Sequence, residues 1–148
     1  MRTLHHHTKT KGDQGLGFTI AALIAAGVQV ALPLSEHLPF DLIAITETGK
    51  LSRVSVKYKT AKNGVIAVDL RSGWSNSKGV HKRALATDDI DVVAVYCPDT
   101  GVVYFFKAGE LRGTSLQVRL KAPERAYDFV RMASDFLDPL RVFSSTAP

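Results

Sequence analysis

Pro39-Phe40-Asp41-Leu42-Ile43-Ala44-Ile45, the tight turn Thr48-Gly49-Lys50, and Leu51-Ser52-Arg53-Val54-Ser55-Val56-Lys57-Tyr58 read together as a β-hairpin. The first arm is apolar on both faces, as a central strand is, and the second alternates with period two. Arg53, Ser55 and Lys57 then share one face, and Val54, Val56 and Tyr58 share the other. Antiparallel pairing brings the start of the first arm beside the end of the second, so Asp41 and Lys57 converge on one end of the sheet.

Outward from that hairpin the chain alternates between helix and strand signals. Upstream, Leu16, Ile20, Leu23 and Ile24 recur at helical spacing over Asp13–Ala26, with Gly27 as a stop. Val28–Leu32 is a short strand ended by Pro33. Downstream, Val65–Leu70 follows the Asn63-Gly64 turn, and Ile90–Tyr96 pairs with Val102–Phe106 across Pro98-Asp99-Thr100-Gly101. Arg71–Asp89 is rich in Ser, Gly and Lys and reads as a long surface segment with at most a short helix. Ser115–Leu120 is a further strand. After Pro123, a stripe of Ala126, Phe129, Val130, Ala133, Phe136 and Leu137 predicts a closing helix. The fold class expected is α/β, a mixed β-sheet flanked by an N-terminal and a C-terminal helix.

The 148 residues are 45% hydrophobic, enough for one core and too few for two ordinary domains. The organisation expected is a flexible tail over 1–10, a single domain over 11–140 and a C-terminal tail over 141–148. His5, His6 and His7 belong to that first tail, since adjacent terminal histidines diverge too much to form a metal site. A net charge of +5 favours a polyanionic partner. The lone Cys97 excludes an internal disulfide and, set in an apolar run, reads as a buried inert thiol. Leu16–Leu34 is broken by Thr19, Gly27 and Gln29, so no membrane span is expected. With no secretory signal pattern either, the expected location is cytoplasmic.

Phosphodiester hydrolysis needs a hard cation to neutralise charge on phosphate oxygens, and a carboxylate such as Asp41 is its natural ligand. A lysine beside the metal orients water or stabilises the charged transition state, a role that suits Lys57. An Asp and a Lys sixteen positions apart are also what a surface ion pair requires.

The wider text separates the two. Pro39-Phe40-Asp41-Leu42-Ile43 followed by Arg53-Val54-Ser55-Val56-Lys57-Tyr58 resembles the PD-(D/E)XK nuclease core. Thr8-Lys9-Thr10-Lys11-Gly12-Asp13-Gln14-Gly15, Pro33-Leu34-Ser35-Glu36-His37, Trp74–Arg83 and Tyr96-Cys97-Pro98-Asp99-Thr100 look like the PD-(D/E)XK homing endonucleases encoded in group I introns. The resemblance runs from about Thr8 through the last helix. It implies a restriction-endonuclease-like core and a site-specific, Mg2+-dependent DNA endonuclease, with Mn2+ as a substitute, acting on duplex DNA as a homodimer or homotetramer. Asp41, Lys57, Asp13 and Ser55 occupy its catalytic positions, and Asp41, Asp13 and the Val56 carbonyl its metal-ligand positions.

One departure stands out: where that family has Glu, Asp or Gln two residues before the lysine, this chain has the neutral Ser55. Asp13, or Glu36 in the loop before Asp41, would restore the missing charge. The alternatives are a helix-start residue favoured by the macrodipole for Asp13 and a solvated loop carboxylate for Glu36. Lys59, Lys78, His81, Lys82 and Arg83 are the expected DNA contacts, Trp74 an anchor of its loop, and Tyr58 a core residue. Two other functions share these features: a Holliday-junction-resolvase-like nuclease that reads branched shape, and a DNA-binding protein that has lost cleavage.

Overall fold

The computed structural model describes residues 7–83, 88–125 and 129–144. Helix α1 (His7–Ala25) is followed by strands β1 (Gln29–Ala31), β2 (Leu42–Ile45) and β3 (Leu51–Tyr58), then β7 (Val92–Cys97) and β8 (Val102–Lys107). These five strands make one sheet in the order β1-β2-β3-β7-β8. β3 and β7 run parallel and every other neighbour is antiparallel, so the sheet is mixed as expected. The turns fall where the glycines require them: Gly49 closes the β2–β3 hairpin at φ +83°, and Gly101 closes β7–β8 at φ +70°.

Every residue of β7 is buried, because both sheet faces are covered. On one face Val54, Val92, Ala94 and Tyr96 pack with Leu23 of α1 and with Val142 and Phe143 of the short helix α2 (Leu140–Phe143). On the other, Val93, Val95 and Cys97 pack under a separate two-stranded sheet of β4 (Val65–Asp69) and β9 (Ser115–Arg119), capped by Phe136 against the Phe106 ring at 4.6 Å. α1 buries Gly15, Thr19 and Leu23, one residue per turn, and the Thr19 hydroxyl donates to the Gly15 carbonyl at 2.7 Å. Its end is a left-handed Gly27, with the Val28 N–H returning to the Leu23 carbonyl at 2.9 Å.

Four expectations are corrected. α1 begins at His7 rather than Asp13, so residues 7–10, assigned to the tail, are helical; His5 and His6 lie outside the described residues. Arg71–Asp89, read as a long surface segment with at most a short helix, contains two paired strands. Ser72–Asn76 (β5) and Gly79–Arg83 (β6) form an antiparallel ribbon. The described residues of the stripe after Pro123 do not form the expected helix. Among its described residues, Arg131 accepts the N–H of Arg119 at 2.9 Å and Met132 bridges Arg119, so the backbone bonds sideways to β9 instead of four residues back. A 3-10 turn over Ala133–Phe136 follows, Phe129 is 97% exposed, and the closing helix is the short α2. Val142 and Phe143, in the expected C-terminal tail, belong to the core.

Candidate active site

The site grows out of where β2 begins. Along β3, the Arg53 carbonyl accepts from Asp91 and the Lys59 N–H donates to Tyr96, both at 2.9 Å. Odd-numbered residues therefore turn their backbone groups toward β7 and even-numbered ones toward β2. Val54 accordingly accepts the Asp41 N–H at 2.9 Å. β2 begins at Leu42, opposite Val54, so two residues further along β3 no strand is left to bond Val56. The Asp41 carboxylate takes that place, its Oδ2 accepting the Val56 N–H at 2.6 Å. The Val56 carbonyl, on the same side of the strand as its N–H, faces the same gap. One carboxylate and one backbone carbonyl thus meet at the exposed end of the sheet.

Ser55 and Lys57 lie in register with Val93 and Val95 and share their face of the sheet. Ser55 is buried, whereas Lys57 is half-exposed and forms no ion pair among the described residues. The surface ion pair that the Asp41 and Lys57 spacing also allowed is therefore not made. Tyr58 faces the α1 side as a core residue, tilted against Tyr96 at 5.6 Å between ring centroids, with the Lys11 ammonium 5.9 Å above it.

Asp13 and Glu36 are exposed and neither bonds to Asp41 or Lys57 among the described residues. α1 reaches β3 through Gly15, and Asp13, two residues earlier, projects about 200° round the helix from that contact. Among the described residues no group of three or more His, Cys, Asp or Glu side chains is close enough to hold a metal. The donors present are those of an open site for a hard cation. Magnesium keeps several waters and takes one or two carboxylates, with substrate phosphate completing its shell. Asp41 and the Val56 carbonyl fit that demand, and the side chain at position 55 adds a hydroxyl instead of a charge.

The expected DNA contacts fall in two places. Lys59 is exposed just beyond β3. Lys78, His81, Lys82 and Arg83 belong to the ribbon, with Lys78 at its tip, His81 across from Trp74, Lys82 from Gly73 and Arg83 from Ser72. The anchoring role expected of the Trp74 side chain lies outside the described residues. Sequence reasoning missed Asp99, whose Oδ2 accepts the Ala61 N–H at 2.7 Å and ties the segment after Lys59 to the β7–β8 turn. Pro98-Asp99-Thr100-Gly101 signalled the turn, but a bond spanning 38 positions leaves no local mark.

The arrangement can be set beside known proteins. The fold matches a bacterial homing endonuclease, I-Ssp6803I, with a TM-score of 0.72 over 93% of each chain at 22% sequence identity. A search of curated proteins gives no match. A sequence profile of PD-(D/E)XK endonucleases matches residues 6–138, spanning the helix, the hairpin with Asp41 and Lys57, and the ribbon. The chain belongs to the PD-(D/E)XK endonuclease family.

Proposed function

We propose that this endonuclease hydrolyses phosphodiester bonds in duplex DNA at a specific site, using a divalent metal at the open end of β2 and β3. The observation that carries the reading is the 2.6 Å bond from the Val56 N–H to Asp41 Oδ2. It fixes a carboxylate beside a backbone carbonyl and one residue from Lys57, with no rotamer search left to make on binding substrate. Asp41 and the Val56 carbonyl would hold Mg2+, with Mn2+ as substitute. When bound, the metal neutralises charge on the phosphate and acidifies a water. Asp13 could enter that shell only by reorientation of its side chain or of α1. Lys57, without an ion pair among the described residues, orients the attacking water and stabilises the negative charge that develops on the phosphate. Ser55 contributes a hydroxyl to the same face. Lys59, Lys78, His81, Lys82 and Arg83 supply phosphate and base contacts, giving salt-dependent affinity. One such site cuts one strand, so a homodimer or homotetramer in the cytoplasm would make the double-strand cut.

A nicking assay on supercoiled plasmid with Mg2+ or Mn2+ tests this directly, comparing wild type with Asp41→Ala and Lys57→Ala while binding is followed in parallel. Each variant should lose on the order of 10²-fold or more in cleavage rate and keep its DNA affinity. Tight binding by a wild type that cuts with neither metal would instead support a DNA-binding protein without cleavage, the reading that the neutral Ser55 favours. Preferential cutting of four-way junctions would support a resolvase.

A further inference from the structure

Beyond Lys59 the chain crosses from the main sheet to the β4–β9 layer, and cations gather along the crossing. Lys62 faces Val65 across the Asn63-Gly64 turn, with hydrogen bonds of 2.8 and 3.0 Å. Val65 pairs with Arg119, and the Arg119 N–H bonds the Arg131 carbonyl at 2.9 Å. The backbones of Lys62, Val65, Arg119 and Arg131 therefore lie side by side, separated by gaps of about 4.8 Å that together span about 14 Å. Lys121 is exposed two residues after Arg119, which donates from Nε to its carbonyl at 3.4 Å, and Arg125 shares a cleft with Arg119.

Lys59, Lys62, Lys121, Arg125 and Arg131 are exposed and Arg119 is half-buried; among the described residues none of the six forms an ion pair. Glu124 and Asp99 are the described carboxylates among them, and Asp99 already accepts the Ala61 N–H. Six cations against two carboxylates leave a surplus of four, most of the chain's net charge of +5. Like charges collected on one surface repel, and a polyanion relieves that repulsion.

We propose that this strip binds the phosphate backbone of duplex DNA outside the scissile position, carrying the duplex from Lys57 across the end of the β4–β9 layer. The inference rests on the reading above for its substrate, duplex DNA.

Position and length both suit a backbone. Lys57 shares the sheet face of Val93 and Val95, the face that β4 and β9 cover, so the strip starts on the side to which that lysine turns. Lys59 continues it, with its N–H on the Tyr96 carbonyl at the end of β7. Asp99 then ties Ala61 to the β7–β8 turn at 2.7 Å, which fixes the path between the two layers. One strand of B-DNA carries a phosphate about every 3.4 Å of axis, so about 14 Å of protein faces about four of them. Contacts of this kind set register and affinity and carry no base preference.

The test is binding of the full chain to a mixed-sequence duplex in EDTA, titrated with salt, beside the plasmid nicking assay with Mg2+ or Mn2+. Lys62→Gln combined with Lys121→Gln should lower the slope of log affinity against log salt by about two, since each phosphate contact contributes about 0.9. Adding Arg131→Gln should lower it by about one more. Lys50→Gln combined with Lys107→Gln removes the same charge at the opposite end of the sheet, where both residues line one cleft with Asp91, and should keep the wild-type slope. Equal slopes for the two double variants would overturn the inference, because net charge and not the strip would then set affinity. Nicking by wild type, with a slope that the strip variants leave unchanged, would overturn it alone. A slope that falls as expected while wild type nicks with neither metal would overturn the endonuclease reading and leave the strip standing. Failure to bind duplex with or without metal would overturn both.

Discussion

Arg53 clasps Asp91 at the point where the parallel pairing of β3 with β7 begins. Its Nε and Nη2 reach the two carboxylate oxygens at 3.0 and 3.2 Å, its backbone N–H reaches the same Oδ2 at 2.7 Å, and its Nη1 reaches the Asp88 carbonyl at 2.6 Å. Parallel strands lack a hairpin turn to set their register, and this clasp supplies one fixed point. The hydrogen bond from Arg53 holds the Asp91 carboxyl below the ordinary aspartate range, against the opposing effect of its partial burial. The unfolded chain therefore binds the proton more tightly. The stability gained is complete above about pH 5 and is lost as pH falls through the depressed folded value. The pair is over a third exposed, so Asp91→Asn should cost only about 1 kcal/mol at pH 7. Urea melts of the two proteins from pH 7 to pH 2 should converge in acid; a difference that persists at pH 2 would show that the charge is not the source.

Gly15 is where α1 meets the strand that carries the lysine. A Cβ there would lie 3.5 Å from Val56 Cγ1, 3.7 Å from the Lys57 carbonyl and 3.7 Å from Tyr58 Cβ, all ordinary contacts. Gly15→Ala should therefore gain helix propensity without strain and stabilise by roughly 0.5–1 kcal/mol. Gly15→Leu has nowhere to go and should cost about 1–3 kcal/mol and slow cleavage by displacing β3. Thermal unfolding decides it: a lower melting temperature for Gly15→Ala would mean that helix and strand are closer than described.

How much of this was legible depends on the range of the interaction. The β2–β3 hairpin, Gly27, and the Asn63-Gly64 turn, with Asn63 at φ 52°, are local and could be read directly. Asp41 could be placed near Lys57 by antiparallel geometry, but its grip on the Val56 N–H depends on β2 starting only at Leu42, which no residue announces. The ribbon was hidden because Ser, Gly and Lys read as loop when the partner strand is unknown. Phe129, Val130, Ala133 and Phe136 lie at helical spacing, yet tertiary bonding to Arg119 overrode the periodicity. The Arg53 and Asp91 clasp joins residues 38 apart and left no trace.

Cys97 gives a test of core integrity. Its side chain is fully buried in the cluster under β4 and β9, with its Sγ 3.8 Å from Asp99 Oδ2. A thiol so placed reacts only when the sheet opens, so a disulfide reagent should modify it at least about 10³-fold more slowly in the native protein than in urea. Fast native labelling would mean that the β7–β8 turn opens locally.

Position 55 tests whether the proposed metal site is short of a carboxylate. Ser55 is 5% exposed, two residues before Lys57, where the resemblance places an acidic residue or glutamine. Ser55→Asp would add a second charge beside the Asp41 and Val56 donors. Without metal that charge is buried and unpaired, so the variant should be less stable by about 1–3 kcal/mol. With metal the two carboxylates share a cation, so Mg2+ should raise the melting temperature of the variant more than that of wild type. The Mg2+ concentration for half-maximal nicking should fall about tenfold, since a tenfold change needs only about 1.4 kcal/mol of added metal affinity. Should Mg2+ neither stabilise Ser55→Asp beyond wild type nor act at lower concentration, the side chain at 55 does not face the metal, and Asp13 becomes the residue to substitute next.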